Sequence, residues 1–512
     1  MILARTYSAT LLGVDAHEVE IESFESGGLP RMVLVGLPDA SVRESRERVA
    51  AALASCGFVV CEGGVTVNLA PAKLRKEGPG FDLPIAISLL AHRARIPMEQ
   101  LQQSMLIGEL ALNGELRPVR GVLAVALEAR ARGRRRLLLP KAQAAEASVV
   151  EGLEIIGVSH LREVVDFLCG LLPLEPEPCR AEEMLAVNDR HDIDLSEVRG
   201  QQSVKRALEV AAAGGHNLLM VGPPGTGKSM LAKRMVTILP PMTQHEAIAS
   251  SKIYSAGGLL AGSGRFVGTR PFRSPHHSIS DAGLLGGGSN PGPGEVSLAH
   301  HGVLFLDELP EFRRSTLEVM RQPLEDGQVT ISRAVGSVTF PASFILVAAM
   351  NPCPCGYFGD AKRACRCPLG AVQKYRQRLS GPLLDRVDLH LDVPAVDHRE
   401  LTRQDHGGEE GSAAVRARVI AARRIQQERF ANSRGTPTNA AMSPRQLRRF
   451  CGLDSRGQWL LEQAMLQKNF SARAHDRILK VARTLADLRA LERIDEECLL
   501  EAIAYRSLDR PL

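Results

Sequence analysis

The chain has 512 residues and a formal net charge of +5, with 44% of its residues hydrophobic and 24% charged. These fractions are typical of a folded globular chain, and the length allows about three domains of ~150 residues each. No stretch approaches the ~18 consecutive apolar residues that a membrane helix needs, so we expect no membrane partner. Ten cysteines without a secretory signal favour thiols over a secreted disulfide framework, so we expect the protein in a reducing cytoplasm.

Four regions follow one another along the chain. Residues 1–170 alternate strand-like with helix-like runs, which predicts a compact α/β domain. Residues 171–194 are rich in proline and acid and lack periodicity, so we interpret them as a linker. Residues 195–400 carry the motifs described next. Residues 401–512 are rich in arginine and alanine at helical spacing, which predicts a helical lid; its basic clusters fit a solvated face or a polyanion-facing one equally.

The most specific motif is GPPGTGKS at residues 222–229, which fits the pattern G-x-x-x-x-G-K-[ST]. Residues 217–221 predict a buried strand before it, and residues 230–239 predict the following helix. In such a loop, backbone N–H groups approach phosphate oxygens, the lysine reaches the terminal phosphates and the serine hydroxyl ligates Mg²⁺. The residues expected to bind ATP are Gly222, Pro223, Pro224, Gly225, Thr226, Gly227, Lys228 and Ser229.

A pair of carboxylates follows a second apolar run. The stretch GVLFLDEL at residues 302–309 predicts a buried strand that ends at Asp307 and Glu308. Phosphoryl transfer mainly needs positioned charge, so we expect Asp307 to hold Mg²⁺ and its water shell and Glu308 to polarise the attacking water. With the phosphate-binding loop, this pair predicts an ATPase core.

A cluster of cysteines occupies the segment CPCGYFGDAKRACRC, in the pattern C-x-C-x9-C-x-C. Four thiolates are enough for one tetrahedral Zn²⁺, so we expect a structural zinc ion here. A disulfide pair and four unrelated thiols are the alternatives. The expected ligands are Cys353, Cys355, Cys365 and Cys367.

Longer segments carry a family resemblance. They are VRGQQSVKRALEVAAAGGHNLLMVGPPGTGKS, GEVSLAHHGVLFLDELPEF, RQPLEDGQVTISRA, AAMNPCPCG and GPLLDRVDL. Together they look like the magnesium-chelatase-like AAA+ proteins and, within them, the ComM/YifB type, and the resemblance covers nearly the whole chain. It implies a P-loop core with a parallel sheet, a helical lid, and a usually hexameric ring with ATP sandwiched between subunits.

The same resemblance implies roles for further residues. Asn351 matches the polar sensor beside the attacking water, and Gln201 belongs to the segment VRGQQ that packs on adenine. Arg386 matches the arginine finger donated to the neighbouring subunit's γ-phosphate, and Arg473 matches the lid arginine that senses the same phosphate. A guanidinium suits both positions because its rigid fork of donors neutralises charge spread over phosphate oxygens.

The amino-terminal region resembles the proteolytic domain of Lon proteases through KEGPGFDLPIAISLL (76–90) and LNGELRPVRGVLAVALEA (112–129). That domain uses a serine activated by a lysine. Here the serine position holds Gly80 and the lysine position holds Val125, so we expect the fold without the proteolytic chemistry. We interpret the domain as an assembly or DNA-facing module. The arginines that would serve the latter, or form a solvated face, are Arg130, Arg132, Arg134, Arg135 and Arg136.

Two segments are candidates for sequence-independent DNA contact, which needs cations along the phosphate backbone. Residues 325–343 predict a hairpin with its tip at 334–336, flanked by Arg333, at the place where related helicases such as MCM insert a pore hairpin. Residues 268–288 are Gly-rich and basic, too polar for a core, and carry Arg270, Arg273, His276 and His277. The neighbouring His276 and His277 offer two metal ligands without an obvious third.

Three functions compete. The family resemblance implies a DNA motor of the ComM type, which drives branch migration during integration of single strands in natural transformation, with single-stranded or branched DNA as the partner. The second is the motor subunit of a magnesium chelatase, from which the Lon-like domain sets this chain apart. The third is a protein-remodelling chaperone or ATP-dependent protease, which Gly80 and Val125 disfavour. We expect the first.

Overall fold

The structure is a computed structural model. It describes residues 3–26, 29, 31–59, 63–91, 93–179, 191–260, 266–288, 292–333, 336–360, 363–394, 409–431, 433, 438–468 and 470–506. Within these ranges, no helix combines the length and the apolar character that crossing a bilayer requires. The central part of the expected linker, at 180–190, lies outside the described residues.

The amino-terminal region is built on a mixed sheet. Its strands are β1 Leu3–Leu12, β2 Asp15–Ser26, β3 Arg31–Val35, β4 Gly64–Ala70, β5 Ser104–Leu106, β6 Glu109–Leu110, β7 Leu116–Arg117, β8 Arg136–Pro140 and β9 Glu154–Val158. Seven of them form one sheet in the order β3-β4-β2-β1-β5-β8-β9, and β6 pairs with β7. The β1–β2 hairpin is antiparallel, with Leu12 opposite Asp15, so Gly13 and Val14 make its turn.

Helices cover both faces of this sheet. They are α1 Ala40–Ser55, α2 Asp82–Leu90, α3 Met98–Gln103, α4 Val122–Ala131, α5 Ala144–Ala147 and α6 Leu161–Leu168. One hydrophobic cluster packs α1, α2 and α6 against the sheet, and a second packs α4 against the other face. Alternation in β4 buries Val65, Val67 and Leu69, as a half-buried strand requires.

Within the described residues, the central region contains nine strands, and five of them form a parallel sheet. Its strands are β10 Leu218–Val221, β11 Phe272–Arg273, β12 Gly286–Gly287, β13 Gly292–Pro293, β14 Val303–Leu306, β15 Gln328–Arg333, β16 Gly336–Pro341, β17 Ile345–Met350 and β18 Leu389–Asp392. The five-stranded order is β11-β14-β17-β10-β18, with every neighbouring pair parallel. β10, β14 and β17 are buried along their whole length, which explains their continuous apolar sequences.

The remaining helices surround this sheet and form the carboxy-terminal region. They are α7 Gln202–Gly214, α8 Lys228–Ile238, α9 Gln244–Ala256, α10 Asp281–Leu285, α11 Glu295–Leu298, α12 Arg314–Val319, α13 Arg321–Asp326, α14 Leu369–Arg376, α15 Gly381–Leu384, α16 Ser412–Phe430, α17 Pro444–Phe450, α18 Ser455–Lys468, α19 Ala472–Leu488 and α20 Glu496–Ala504. The last five share one hydrophobic cluster with α7 and the central sheet. The fold class predicted from the sequence is confirmed.

The structure corrects part of the expectation for residues 268–288. The segment was expected to be too polar for the core, yet Phe272 lies in the edge strand β11 and stacks on Phe305 at 6.0 Å between ring centroids. Leu284 in α10 is fully buried. The alternation of single apolar residues with glycine and serine conceals this contribution, because a two-residue strand is too short to show periodicity.

Candidate nucleotide site and cysteine cluster

The phosphate-binding loop connects β10 to α8. Gly225 and Gly227 have φ of +78° and +81°, which favours glycine. No heavy atom lies within 4 Å of a Cβ built on either. The loop is therefore open where these glycines lie, and the first N–H groups of α8 have no partner within the helix. Its other side is closed, because a Cβ on Gly222 would lie 2.3 Å from the Val393 carbonyl oxygen.

Lys228 is folded back onto the loop. Its Nζ donates to the Gly222 carbonyl oxygen at 2.7 Å and to the Pro223 carbonyl oxygen at 2.8 Å, and it lies 3.4 Å from Asn351 Oδ1. Burial lowers the pKa of Lys228, and the charge of Asp307 acts in the opposite direction. Asn351 directly follows β17, the strand between β14 and β10. The sensor position therefore lies within reach of the loop lysine.

The expected magnesium ligands contact each other. Ser229 Oγ donates to Asp307 Oδ2 at 2.7 Å, which joins the start of α8 to the end of β14. Oxygen atoms are the ligands that Mg²⁺ prefers. The N–H of Glu308 donates to Asp307 Oδ1 at 2.9 Å, and Glu308 has φ of +51°, an uncommon backbone conformation for a residue with a side chain. The open loop and the oxygen pair fit a magnesium-bound triphosphate.

His277 contacts the expected catalytic carboxylate. Its Nδ1 lies 3.3 Å from Glu308 Oε2, and its ring packs against His276 at 4.0 Å and edge-on to Phe312 at 6.4 Å. His276 turns away, with Nδ1 2.9 Å from Ser278 Oγ. The sequence drew attention to this histidine pair as part of a basic segment for DNA contact or as metal ligands. Its position beside Glu308 depends on β11 lying next to β14, which no local pattern reveals.

Gln201 is anchored to the phosphate-binding loop. It lies directly before α7 with φ of +53°, and its Nε2 donates to the Thr226 carbonyl oxygen at 2.8 Å. Thr226 Oγ1 in turn donates to the Pro223 carbonyl oxygen at 3.0 Å. The segment expected beside adenine is thus connected to the loop that is expected to hold the phosphates.

The two expected phosphate-sensing arginines lie at one place, each bound to a carboxylate. Arg386 is buried, donates to the Pro382 carbonyl oxygen at 2.5 Å and forms an ion pair with Glu325. Arg473 is exposed at the start of α19, and its Nη1 lies 3.2 Å from Asp385 Oδ2. Because Asp385 directly precedes Arg386, the lid arginine contacts the residue next to the finger candidate. A finger role requires the pair with Glu325 to open.

The cysteine cluster is close to tetrahedral size. The Sγ atoms of Cys353, Cys355, Cys365 and Cys367 all lie within 4.8 Å of one another. Separations of 3.4, 3.6 and 3.7 Å among the first three are close to the ~3.8 Å edge of a tetrahedron with Zn–S bonds of ~2.3 Å. All four are free thiols.

This cluster lies against the phosphate-binding loop. A Cβ on Gly356 would come within 2.6 Å of Pro224 Cδ. Arg376 contacts the cluster from the other side, with its Nε 3.4 Å from the Pro352 carbonyl oxygen and its guanidinium 5.6 Å from the Phe358 ring centroid. The segment between Asn351 and α14 is thus packed onto the nucleotide site.

The expected DNA contacts have different surroundings. Arg270 forms an ion pair with Glu246 at 3.1 Å, and Arg273 binds Glu295 through two contacts of 2.6 Å. Both guanidinium charges are therefore balanced within the chain. Arg333 is the last residue of β15, opposite Gly336 at the start of β16, which confirms the hairpin; its tip at 334–335 and the Arg333 side chain lie outside the described residues.

The positions equivalent to the protease dyad are apolar. Gly80 lies in a single helical turn at Pro79–Phe81, where a Cβ would approach Ile107 Cγ1 to 3.1 Å. Val125 is fully buried in α4. Of the five basic-run arginines, Arg134 pairs with Glu18 at 2.8 Å, while others contact Glu128 and Glu154. Arg132 and Arg135 are exposed, as the solvated-face alternative requires, whereas Arg134 and Arg136 are largely buried.

A phosphate-binding loop after one parallel strand, an acidic pair after a second and a polar sensor after the strand between them define an AAA+ type of ATPase core. Sequence profiles described as "Subunit ChlI of Mg-chelatase", "Magnesium chelatase, subunit ChlI" and "Magnesium chelatase, subunit ChlI C-terminal" match residues 19–143, 194–401 and 409–506.

Full-length relatives agree with these profiles. The chain is 44% identical to the uncharacterized protein YifB of Escherichia coli, over 100% of this chain and 98% of that protein. It is also 44% identical to the competence protein ComM of Haemophilus influenzae, over 100% and 99%. A zygotic DNA replication licensing factor, mcm6-A of Xenopus laevis, is 23% identical over 48% of this chain and 31% of that protein. The chain belongs to the ComM/YifB family of magnesium-chelatase-like AAA+ proteins.

Proposed function

We propose that this protein is a ring-forming ATPase that hydrolyses ATP to move on DNA, as a ComM-type branch-migration helicase in natural transformation or recombination. One observation carries the proposal: the β15–β16 hairpin is inserted between β14, which is followed by Asp307 and Glu308, and β17, which is followed by Asn351. A movement of the hairpin is therefore transmitted to both residues that face the attacking water. The names of two relatives, a competence protein and a DNA replication licensing factor, support the proposal.

The chain's own residues divide the work at the nucleotide. Lys228 binds the terminal phosphates once its Nζ leaves the loop carbonyls, and the N–H groups of residues 225–229 surround the phosphate oxygens. Bound Mg²⁺ supplies positive charge that offsets the charge developing on the phosphoryl group. Ser229 and Asp307 hold that ion. Glu308 accepts a proton from the attacking water, and Asn351 orients the same water.

A neighbouring subunit completes the site in this proposal. Arg386 pairs with Glu325, and Arg473 pairs with Asp385, the residue before Arg386. In a homo-hexameric ring both arginines turn to the γ-phosphate of the next subunit. Phosphate oxygens then replace the carboxylates, because a guanidinium forms its strongest pairs with multiply charged oxygen groups.

DNA passes along the hairpin in this proposal. Arg333 at the hairpin tip makes the principal phosphate contact, and single-stranded or branched DNA binds without sequence preference because phosphate contacts carry no base information. Arg270 and Arg273 join the contact only if DNA displaces Glu246 and Glu295. We therefore rank them behind Arg333.

We further propose that the four-cysteine cluster holds one structural Zn²⁺. The sulfur separations and the set of four thiols support this ligand, and the alternatives of a disulfide pair or unrelated thiols would not keep four sulfurs at tetrahedral spacing. The ion would fix the segment that contacts Pro224, and thus the loop between the sensor and the finger.

The profile descriptions favour a second candidate, the motor of a magnesium chelatase. ATPase rate measured with single-stranded DNA, with a four-way junction and with a porphyrin-chelatase partner subunit separates the two. We expect stimulation by both DNA substrates and weaker DNA binding as salt rises, because phosphate contacts release counterions. Stimulation by the chelatase partner without any response to DNA would assign the protein to the second candidate.

A further inference from the structure

We infer that the Lon-like region serves as a brace for the DNA hairpin, so that Gly13 and Val14 are positioning residues for DNA-coupled ATP hydrolysis. This inference rests on the proposed function. It assigns a role to a region that has the fold of a protease without the serine and lysine of one. The contact lies between the turn of the β1–β2 hairpin and the β15–β16 hairpin, more than 300 residues apart in sequence.

The turn touches the hairpin directly. A Cβ built on Gly13 would lie 2.6 Å from Val338 Cγ1 and 3.5 Å from the Thr339 carbonyl oxygen. Gly13 also has φ of +69°, so glycine is favoured both by the backbone and by the closeness of β16. Val338 lies opposite Ile331 in the register of the hairpin, so the turn contacts the middle of the β-ribbon rather than its tip.

Val14 extends this contact into a small core. It is buried, with 6% of its surface exposed, in a cluster with Ile253, Leu298 and the fully buried Phe340. Ile331 and Val338 pack against the same cluster. Four parts of the chain therefore meet here: the β1–β2 turn, α9, α11 and the hairpin. Burial of this valine side chain favours one orientation of the ribbon, because a two-stranded ribbon has little stability of its own.

Polar contacts fix the turn on α9. Asp15 forms an ion pair with Lys252, and the N–H of Gly121 donates to the Ser255 carbonyl oxygen at 3.1 Å. The buried Glu146 accepts a hydrogen bond from Ser255 Oγ. The amino-terminal region is thus held against α9 at Lys252 and Ser255.

The same cluster is connected through α11 to β14, the strand that precedes Glu308. Tyr254 OH donates to the Leu298 carbonyl oxygen at 3.0 Å, and Leu298 ends α11 shortly before β14 and Glu308. When DNA displaces the hairpin, the hairpin therefore moves against this packed cluster rather than into solvent. We expect the brace to set how effectively bound DNA changes the ATPase site, and to leave the chemistry at the nucleotide unchanged.

The test uses the full-length protein and the variants Gly13→Ala, Val338→Ala and Gly13→Ala/Val338→Ala. Gly133→Ala is the matched control, since Gly133 has φ of +71° and no atom within 4 Å of its Cβ position. The first readout is amide hydrogen exchange of residues 328–341 without DNA. We expect Gly13→Ala to accelerate it about tenfold, Gly133→Ala to leave it unchanged, and the double variant to recover, because removal of Val338 Cγ1 makes room for the new methyl group.

The second readout is the ATPase rate against concentration of single-stranded DNA. We expect Gly13→Ala to raise the half-saturating DNA concentration several-fold at an unchanged basal rate, and Val338→Ala to restore it in the double variant. Any of three results would overturn the inference. They are unchanged exchange in Gly13→Ala, no recovery of exchange in the double variant, and an unchanged half-saturating DNA concentration in Gly13→Ala. If exchange responds as expected while DNA fails to stimulate the wild type, the contact stands and the proposed DNA function fails.

Discussion

Ser229 and Asp307 are joined by a hydrogen bond of 2.7 Å, so the residue after the loop lysine and the residue after β14 already share the position expected for Mg²⁺. Both side chains present oxygen atoms, which suits a hard divalent cation. Close by, Lys228 Nζ lies 3.4 Å from Asn351 Oδ1. The residues that the proposal assigns to binding and hydrolysis are therefore together before any subunit contact is made.

We expect substitutions of Glu308 and of Lys228 to affect ATP binding and ATP turnover differently. Glu308→Gln keeps the shape of the side chain but removes the proton acceptor, so we expect ATP to bind while turnover falls by about 10²–10⁴-fold. Lys228→Ala removes a phosphate contact, and we expect ATP affinity itself to fall. Nucleotide binding and steady-state hydrolysis measured on the same preparations distinguish the two. Normal turnover in Glu308→Gln would refute the assignment of the base.

His277 restrains Glu308 in this structure, so its removal should free the base. A contact between partly exposed ionisable side chains is worth about 0.2–1 kcal/mol, so we expect His277→Ala to raise the basal ATPase rate by roughly 1.5- to 5-fold and to reduce the stimulation by DNA. His276→Ala is the comparison variant: it removes the ring that packs on His277 at 4.0 Å and contacts Ser278, and it leaves the His277–Glu308 pair in place. A basal rate that His277→Ala lowers would show that His277 supports the base.

Arg386 is expected to act on the neighbouring subunit. Arg386→Ala lacks the finger and Glu308→Gln lacks the base, so mixed rings contain some interfaces that have both. We expect the mixture to hydrolyse ATP faster than either variant alone. Native mass spectrometry establishes that mixed rings form. Mixed rings without recovered activity would contradict the finger assignment.

Removal of zinc should loosen the segment that abuts Pro224. We expect about one zinc per chain by metal analysis, and Cys365→Ser should lose the ion and weaken ATP binding, because four thiolates close a structural site. Cys179→Ser replaces an exposed free thiol elsewhere and is the control. A metal-free, folded and fully active preparation would favour the alternative that the four cysteines are unrelated thiols.

The local motifs could be predicted because neighbouring residues carry them. A strand, a glycine-rich loop and a helix follow one another at 217–239, and continuous apolar runs mark β10 and β14 because both lie inside a parallel sheet. The assignment of ATP-site roles and the domain limits remain predictions.

The contacts between distant segments could not be predicted in this way. Arg270 and Arg273 stand out as cations, but their partners Glu246 and Glu295 lie more than 20 residues away and are brought close only by the sheet. The approach of Gly13 to Val338 joins two separate regions of the chain. The sequence alone does not show which charged side chain has a partner of opposite charge. It also does not show which glycine lies so close to another residue that a Cβ atom would collide with it.

ATP-dependent branch migration tests the central claim most directly. A synthetic four-way junction with labelled arms is incubated with the wild type, with Glu308→Gln and with Arg333→Ala, with and without ATP. We expect the wild type with ATP to convert the junction to duplex products irrespective of base sequence. We expect both variants to fail, the first because it cannot hydrolyse ATP and the second because it lacks the proposed phosphate contact of the hairpin. A wild-type protein that hydrolyses ATP and binds the junction but never migrates it would contradict the proposed motor function.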